Sequence, residues 1–242
     1  MLKIEILYPE LTTLYGDAAN IDFLSRTAGE AEVIETHLGE KPRFLTEGAV
    51  DLIYRGTLTE EGQELMIEEL RPYTEDIKGC IESGQHFLIT GNALEVFGTE
   101  IREFDGKKAL RTIPALGIFP YHSERDILRR YNSLYVGKYG DIDVAGFHCQ
   151  FGHSYYDGDV CPLFLTEKGP GFHPEIKEEG VHEKNFMATY LVGPLLILNP
   201  PFCKALAEEL GAPKAEIPFS ETAYRAYEMR LREYRSKTNL SY

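Results

Sequence analysis

The stretch FLITGNALEVFG, Phe87 to Gly98, has the pattern of a buried strand that turns sharply into a helix. Three large apolar residues, Phe87 to Ile89, precede a small residue and a glycine, and apolar positions then resume at short spacing. Such a strand-to-helix elbow is where many α/β enzymes present a nucleophile. Thr90 occupies that position here, and its hydroxyl is a weak nucleophile unless a base lies beside it.

Around the elbow, short apolar runs alternate with helical patterns through the first half of the chain. This alternation is typical of βαβ units and a mainly parallel sheet. The predicted strands are Leu2 to Leu7, Glu32 to Leu38, Val50 to Tyr54 and Phe87 to Ile89, and the first predicted helix is Ile21 to Ala28. A further helical pattern runs from Thr59 to Ser83, and Pro72 is expected to break it into two helices.

After Gly98 the pattern changes to shorter extended segments, which indicates antiparallel additions to the sheet. The sequence FDGKKA around Asp105 and Gly106 predicts a hairpin. Further strands are predicted near residues 134–136, 142–147 and 185–191, and helices after Pro201 and from Glu221 to Arg235. The last helix carries Tyr224, Tyr227, Leu231 and Tyr234 at near-helical spacing, which predicts core packing. We predict one domain over residues 1–242.

The 242-residue chain carries a formal net charge of −14. This balance argues against a nucleic-acid partner, because binding a phosphate backbone needs a concentrated basic face. Four separated cysteines without a CxxC pair argue against a disulfide framework and favour a reducing cytoplasm. The sequence shows neither a signal-peptide pattern nor an apolar run of about 18 residues, so no membrane span is predicted.

Three stretches carry a resemblance to a known family. They are YPELTTLYGDAANI (Tyr8 to Ile21), VAGFHCQFGHS (Val144 to Ser154) and NFMATYLVGPLLILNP (Asn185 to Pro200). These resemble segments of the GatD-like and cobyric-acid-synthase-like class I glutamine amidotransferases, and they span at least residues 1 to 210. The resemblance implies an α/β, flavodoxin-like class I glutamine amidotransferase fold, with a mostly parallel twisted sheet flanked by helices and antiparallel additions.

The resemblance also implies where the chemistry of active members would fall. In those members a cysteine on the elbow attacks the glutamine amide, a histidine activates it, and backbone amides of a glycine-rich loop hold the oxyanion. On this sequence the cysteine falls on Thr90. The histidine of the Thr-Tyr-Leu-His-Gly-Pro segment falls on Val192, two residues after Tyr190, and a second family histidine falls on Gln150.

The glycine-rich loop is altered as well, since only Gly56 remains of it and Arg55 and Thr57 are expected to add bulk. Catalytic groups act as a unit, so we predict that glutaminase activity is absent and assign no catalytic residue. Arg130 aligns with a family arginine, which implies bidentate binding of a carboxylate. The predicted pocket residues are Gly56, Thr90, Asn92, Arg130, Gln150, Tyr190 and Val192.

The segment from His148 to His182 is rich in histidine and cysteine, which raises the question of chemistry outside the elbow. Thiolate and imidazole groups are the ligands that zinc prefers, but the spacing matches no closed structural site, so no metal is predicted. Cys149 with His148 or His153 is a candidate thiol nucleophile, although adjacent residues of a strand point to opposite faces. A buried free cysteine is the preferred interpretation of Cys149. Glycine-containing segments lack the context of phosphate loops, so no cofactor is predicted.

These observations favour a catalytically degenerate glutamine amidotransferase-like subunit that acts by binding. The resemblance implies a Mur-ligase-like protein subunit as partner, acting on a cell-wall precursor, and a glutamine- or glutamate-like small molecule as ligand. One alternative is an active amidotransferase of the cobyric acid or lipid II pathway with an unconventional nucleophile, or a hydrolase built on Cys149. Another is a stand-alone small-molecule sensor that uses the pocket around Gly56, Thr90 and Arg130.

Overall fold

The computed structural model describes residues 1–11, 14–46 and 50–238. Two threonines of the N-terminal motif, Thr12 and Thr13, lie outside the described residues. The described residues form fifteen β-strands and six α-helices. The strands are β1 (Leu2–Leu7), β2 (Ala31–Thr36), β3 (Leu52–Arg55), β4 (His86–Thr90), β5 (Glu100–Asp105), β6 (Lys108–Pro114), β7 (Tyr121–Asp126), β8 (Tyr131–Tyr139), β9 (Ile142–Gln150), β10 (Gly152–Tyr156), β11 (Phe164–Lys168), β12 (Glu178–Glu179), β13 (Val181–Glu183), β14 (Phe186–Thr189) and β15 (Leu191–Val192). The helices are α1 (Ala19–Ala28), α2 (Glu60–Leu70), α3 (Thr74–Glu82), α4 (Leu195–Leu198), α5 (Pro200–Glu209) and α6 (Ser220–Ser236).

The central sheet has six strands in the order β13-β14-β4-β3-β1-β2. All neighbours pair in parallel except β13, which pairs with β14 antiparallel. The order 2-1-3-4 followed by one more parallel strand is the flavodoxin-like arrangement. The predicted α/β fold class is therefore confirmed.

Two smaller sheets form the antiparallel additions. One has the order β10-β7-β5-β6, in which only β5 and β7 pair in parallel. The other, β12-β11-β8-β9-β15, is antiparallel throughout. The FDGKKA hairpin is confirmed as the β5–β6 turn, where Gly106 has a φ of +63°.

Both faces of the central sheet are covered by other elements. Alternate residues of a strand point to opposite faces, and in β4 they belong to two different apolar clusters. Phe87 and Ile89 belong to one apolar cluster, which also contains residues of α2 and α3. Leu88 lies between them in sequence and belongs to a second cluster, with residues of α1, α5, β8 and β9. The near-continuous apolar run of β4 follows from this burial on two sides.

The helix predictions are confirmed in their main features. The helical pattern from 59 to 83 is divided into α2 and α3 by a 3₁₀ turn at Arg71–Tyr73, which contains Pro72. In α6, Tyr227 and Leu231 are buried against Val136 and Ala145 of the third sheet. The tyrosine stripe is therefore a packing surface, as expected. The single domain predicted over residues 1–242 stays a prediction.

Within the described ranges, no helix combines the length and the apolar character that crossing a bilayer requires.

The elbow after β4 differs in one respect from the expected strand-to-helix turn. The chain enters a 3₁₀ helix, Gly91–Phe97, and not an α-helix. Gly91 has a φ of +65°, a conformation that favours glycine, and a Cβ atom there would lie 2.9 Å from Cβ of Thr57. The loop after β3 is thus packed directly against the elbow, and only glycine fits between them.

We expect Gly91→Ala to destabilise the protein more than Gly106→Ala. Both positions have positive φ, but a Cβ at Gly106 meets no atom within 4 Å. Gly106→Ala therefore carries only backbone strain of about 1–2 kcal/mol. Gly91→Ala adds overpacking, which costs roughly 1–3 kcal/mol more. Urea unfolding of the two variants measures the difference, and equal losses would contradict the close packing of the elbow.

Candidate functional site

The elbow hydroxyl lies inside the protein. Thr90 is the last residue of β4 and is fully buried. Its hydroxyl donates a hydrogen bond of 3.0 Å to Oδ2 of Asp17 and lies 3.5 Å from the hydroxyl of Tyr54. The carboxylate accepts this hydrogen bond from the hydroxyl. The hydroxyl oxygen is nevertheless enclosed by the protein, so a substrate cannot reach it in this arrangement.

Asp17 is the centre of the arrangement, and the sequence interpretation did not single it out. It lies in the segment between β1 and α1 and is fully buried. Oδ2 accepts hydrogen bonds from the backbone N–H and the hydroxyl of Thr57, at 3.0 and 2.6 Å, in addition to the one from Thr90. Oδ1 accepts the N–H of Gly193 at 2.9 Å. These four donors compensate the cost of burying the carboxylate.

Gly56 and Tyr54 shape the wall behind Asp17. A Cβ on Gly56 would lie 2.8 Å from Cβ of Asp17, so the surviving loop glycine is needed for this packing. The hydroxyl of Tyr54 donates to the carbonyl of Asp17 at 2.8 Å and accepts from the amide of Asn20 at 3.0 Å. Burial is the main reason that the pKa of Tyr54 is raised above its ordinary value, with the Asp17 charge as a second cause.

Val192 lies beside this cluster in β15 and is buried. Its isopropyl group can neither accept nor donate a proton. The next residue, Gly193, supplies its N–H to Asp17 and leaves no room for a side chain, because a Cβ would meet backbone atoms of Tyr15. The structure thus brings Thr90, Val192 and Gly56 together around Asp17, at the carboxyl ends of the central strands.

Arg55 has a different place from the one expected. Its guanidinium donates to the carbonyls of Leu7, Tyr8 and Leu11, at 2.9, 2.7 and 2.6 Å. The prediction that Arg55 adds bulk to the oxyanion loop is therefore wrong, because the side chain holds the segment after β1. Thr57 does add bulk there, because its hydroxyl and Cβ lie between Asp17 and Gly91.

A cavity of about 160 Å³ lies next to the buried cluster. Three of the predicted pocket residues, Asn92, Arg130 and Gln150, line it. The other four, Gly56, Thr90, Tyr190 and Val192, do not belong to its lining. Further lining residues include Tyr15, Thr57, Glu60, Glu95, Arg125 and Cys149.

The three predicted lining residues differ in how far their polar groups are engaged. The amide of Asn92 clamps Leu58, accepting its N–H at 2.9 Å and donating to its carbonyl at 3.1 Å. The amide of Gln150 donates to the carbonyl of Gly152 at 2.7 Å, and its oxygen lies 3.1 Å from Nδ1 of His148. The guanidinium of Arg130 lies 4.6 Å above the ring of Phe151 and is the group best placed to bind an anion.

A buried polar network supports the floor of the cavity. Glu95 accepts hydrogen bonds from the hydroxyl of Tyr190 at 2.8 Å and from the amide of Gln63 at 2.9 Å. Arg125 donates to Gln63 at 2.7 Å and to Glu103 at 2.9 Å. Burial raises the pKa of Glu95, and the charge of Arg125 opposes that rise. Tyr190, predicted as a pocket residue, thus acts one layer below the cavity.

The thiol of Cys149 faces the cavity without an imidazole partner. It lies 3.0 Å from the hydroxyl of Tyr15, and burial together with this contact raises the pKa of Tyr15 to about 12. His148 is buried, and burial lowers its pKa to about 4, so it is neutral. The described residues hold no hydrogen bond between Cys149 and a histidine, and no group of three or more potential metal ligands occurs among them.

Glu179 of β12 is a second buried carboxyl near Tyr190. It accepts the hydroxyl of Thr189 and the backbone N–H of Tyr190, each at 2.8 Å. Burial raises its pKa to about 7, and these two hydrogen bonds oppose the rise.

No model of a known family matches the chain, but comparison with known proteins finds relatives. The lipid II isoglutaminyl synthase (glutamine-hydrolyzing) subunit GatD of Staphylococcus aureus (strain N315) is 28% identical over 210 residues, which are 85% of this chain and 82% of that protein. The subunit of the same name from Streptococcus pneumoniae (strain ATCC BAA-255 / R6) is 26% identical over 210 residues, 82% of this chain and 76% of that protein.

A crystal structure of a glutamine amidotransferase superposes with a TM-score of 0.55, covering 86% of this chain and 98% of the other at 14% identity. At that identity the likeness concerns the fold alone. The flavodoxin-like sheet and the elbow at Thr90 thus define a protein of the glutamine amidotransferase class of fold. Within that class, the chain is homologous to the GatD subunits, as its sequence motifs indicated.

We expect Asp17→Asn to lower the free energy of unfolding by about 2–3 kcal/mol, because a buried donor group is left facing other donors. Each oxygen of Asp17 accepts a backbone N–H, from Thr57 at Oδ2 and from Gly193 at Oδ1, so either orientation of an asparagine amide turns its NH₂ group against an N–H. Asp22→Asn is the control, since Asp22 is exposed and pairs only with Arg26. It should change stability by less than about 0.5 kcal/mol. Two variants of equal stability in chemical denaturation would show that Asp17 does not hold the cluster.

The wild-type protein should lose stability relative to Glu179→Gln as the pH rises from about 4.5 through 7. The folded pKa of Glu179 lies above its unfolded value, so the folded state binds this proton more tightly and loses that advantage on ionisation. The relative loss should reach roughly 3 kcal/mol by pH 8. Thermal unfolding of both proteins across this range measures it. A difference that is independent of pH would mean that Glu179 ionises at its ordinary pKa.

Proposed function

We propose that the chain is a GatD-like subunit that has lost glutamine hydrolysis and acts by binding. The observation that carries the proposal is the hydrogen bond from the buried Thr90 hydroxyl to Asp17. Attack on an amide requires an exposed nucleophile with a base in contact. Here the elbow oxygen is enclosed, Val192 cannot take a proton, and the Asp17 carboxylate accepts four donors, among them the Thr90 hydroxyl and the N–H of Gly193, the residue after Val192.

The proposed partner is a synthetase subunit of the Mur-ligase type. The relatives are named as subunits of a glutamine-hydrolyzing lipid II isoglutaminyl synthase, and a subunit by definition works beside another chain. A protein with a formal charge of −14 is suited to a basic protein surface, and its acidic balance opposes binding to a nucleic acid. The cytoplasmic location expected from the cysteines belongs to the same proposal.

The proposed ligand of the 160 Å³ cavity is an amino acid of the glutamine or glutamate type. The volume is below the roughly 300–1,000 Å³ of pockets for larger ligands, so only a small molecule fits. Arg130 offers a guanidinium fork for an α-carboxylate, and Glu60 on the same lining offers a carboxylate for an α-ammonium group. A zwitterion is therefore the class of ligand that this lining complements.

The alternative function is an enzyme that uses Cys149. The contact that favours it is the 3.0 Å approach of the Tyr15 hydroxyl to this thiol on the cavity wall. A cysteine nucleophile needs a base that accepts its proton. A tyrosine whose pKa is raised to about 12 is a poor base near neutral pH, which makes this function the weaker candidate.

We expect the purified protein to release no ammonia from L-glutamine, either alone or co-expressed with a Mur-ligase-like synthetase from the same source. Thr90→Ala should leave this result unchanged. A coupled ammonia assay provides the measurement, with a working GatD subunit as the positive control.

Release of ammonia that is abolished by Thr90→Ala would establish the elbow threonine as a nucleophile and refute the proposal. Release abolished by Cys149→Ser, but retained in Cys80→Ser, would establish the alternative enzyme. Cys80 is the matched control because it is a free cysteine on α3, outside the lining of the cavity.

A further inference from the structure

A groove of about 680 Å³ shares Arg130 with the small cavity. It is formed by the turn between β7 and β8, the start of β8, the loop between β11 and β12, and the residues after α6. Its lining includes Arg129, Arg130, His153, Glu167, Lys168 and Lys177. The volume is within the roughly 300–1,000 Å³ typical of small-molecule sites.

The charge of the groove is opposite to that of the protein as a whole. Five of its residues are Arg or Lys and one, Glu167, is acidic, whereas the whole chain has a formal charge of −14. Glu167 is itself bonded to Arg235, with its Oε2 accepting a hydrogen bond of 2.7 Å. The positive charge of the groove is therefore not cancelled by its own acid, and it is concentrated within a concave surface.

The cations reach the groove from separate elements. Arg129 and Arg130 precede β8, Lys168 ends β11, and Lys177 precedes β12. Lys168 is held in place because its ammonium donates to backbone carbonyls of Arg235 and Lys237. Charges arranged on several sides of a cleft suit a ligand that carries several negative oxygens, and a single carboxylate would neutralise only one of them.

His153 provides an independent indication of a ligand. It is 7% exposed, its ring forms part of the groove wall, and neither Nδ1 nor Nε2 has a hydrogen-bond partner among the described residues. The ring packs on Tyr131 with centroids 4.3 Å apart, and the Arg129 guanidinium lies 4.9 Å from the centroid of the same tyrosine ring. A buried N–H without a hydrogen-bond partner lowers the stability of the folded protein. A ligand that accepts a hydrogen bond from His153 would offset this loss.

We propose that this groove is a binding site for a small molecule that bears phosphate or diphosphate, with Arg129, Lys177 and His153 among the residues that contact it. The site goes beyond the proposed function, since it lies outside the glutamine-type cavity and shares only Arg130 with it. Guanidinium and ammonium groups provide the charge-assisted hydrogen bonds that phosphate oxygens accept, and the ring N–H of His153 provides a neutral donor.

Titration calorimetry with inorganic diphosphate tests the site, with citrate as the comparison anion. We expect saturable binding of diphosphate that is tighter than that of citrate. Lys177→Gln and Arg129→Gln should each raise the Kd about five- to tenfold, because each removes one charge-assisted contact. Lys107→Gln is the matched control, since it removes the same charge from an exposed lysine in the β5–β6 turn outside the groove. It should leave the Kd unchanged within about twofold.

His153→Phe separates a binding role from a structural one. Phenylalanine keeps a ring against Tyr131 and removes both unpaired nitrogens, so the melting temperature should stay the same or rise while the Kd for diphosphate rises several-fold. A lower melting temperature with an unchanged Kd would assign His153 to the fold alone and overturn its part in the site.

Three other results would overturn the proposal as a whole. They are the absence of saturable diphosphate binding, equal weakening by Lys107→Gln and Lys177→Gln, and citrate binding as tight as diphosphate binding. Because these experiments avoid Arg130 and glutamine, their failure would leave the proposed amidotransferase-like function untouched.

Discussion

The carboxylate of Asp17 ties together the ends of the strands that form the site. Its four hydrogen bonds reach the loop after β3, the last residue of β4 and the glycine after β15, while Asp17 itself follows β1. In open α/β sheets, this edge, where the strand order reverses between β1 and β3, is where ligands bind. In this protein the buried side chain of Asp17 lies at that point and bonds to the loops that follow the strands.

The contacts of Asp17 explain how the elbow after β4 keeps its shape. Gly91 retains the left-handed backbone of the turn because Thr57 packs directly above it. Thr57 is in turn fixed by Asp17 through both its N–H and its hydroxyl. The hydroxyl of Thr90 is a further donor to the same carboxylate. Thr57, Thr90 and Asp17 therefore satisfy one another's polar groups at the elbow.

Much of the fold could be predicted from the sequence, because apolar periodicity reports burial directly. The strands β1 to β4, the break at Pro72 and the buried stripe of Tyr227 and Leu231 all follow from local pattern. Strand pairing within the smaller sheets could not be predicted. The parallel pairing of β5 with β7 is one example, because the sequence of a strand does not specify which other strand it pairs with.

The site was less predictable than the fold for a physical reason. Alignment with a family identifies which residue stands at a position, but not which partner its side chain finds. Arg55 was expected to add bulk to the oxyanion loop and instead bonds to three carbonyls near β1. The sequence interpretation missed Asp17. Its position after the first strand could have indicated it, because polar residues there lie at the end of a flavodoxin-like sheet where ligands bind.

The buried charges below the small cavity support the proposed binding role. Glu95 and Arg125 are almost fully enclosed and are connected through Gln63. Replacement of buried ionic groups by apolar residues is often neutral or stabilising, so stability alone does not account for such a network. The network does hold polar groups under a cavity whose wall carries Arg130. Apolar side chains filling this space would add stability, so the polar lining supports the proposed binding role.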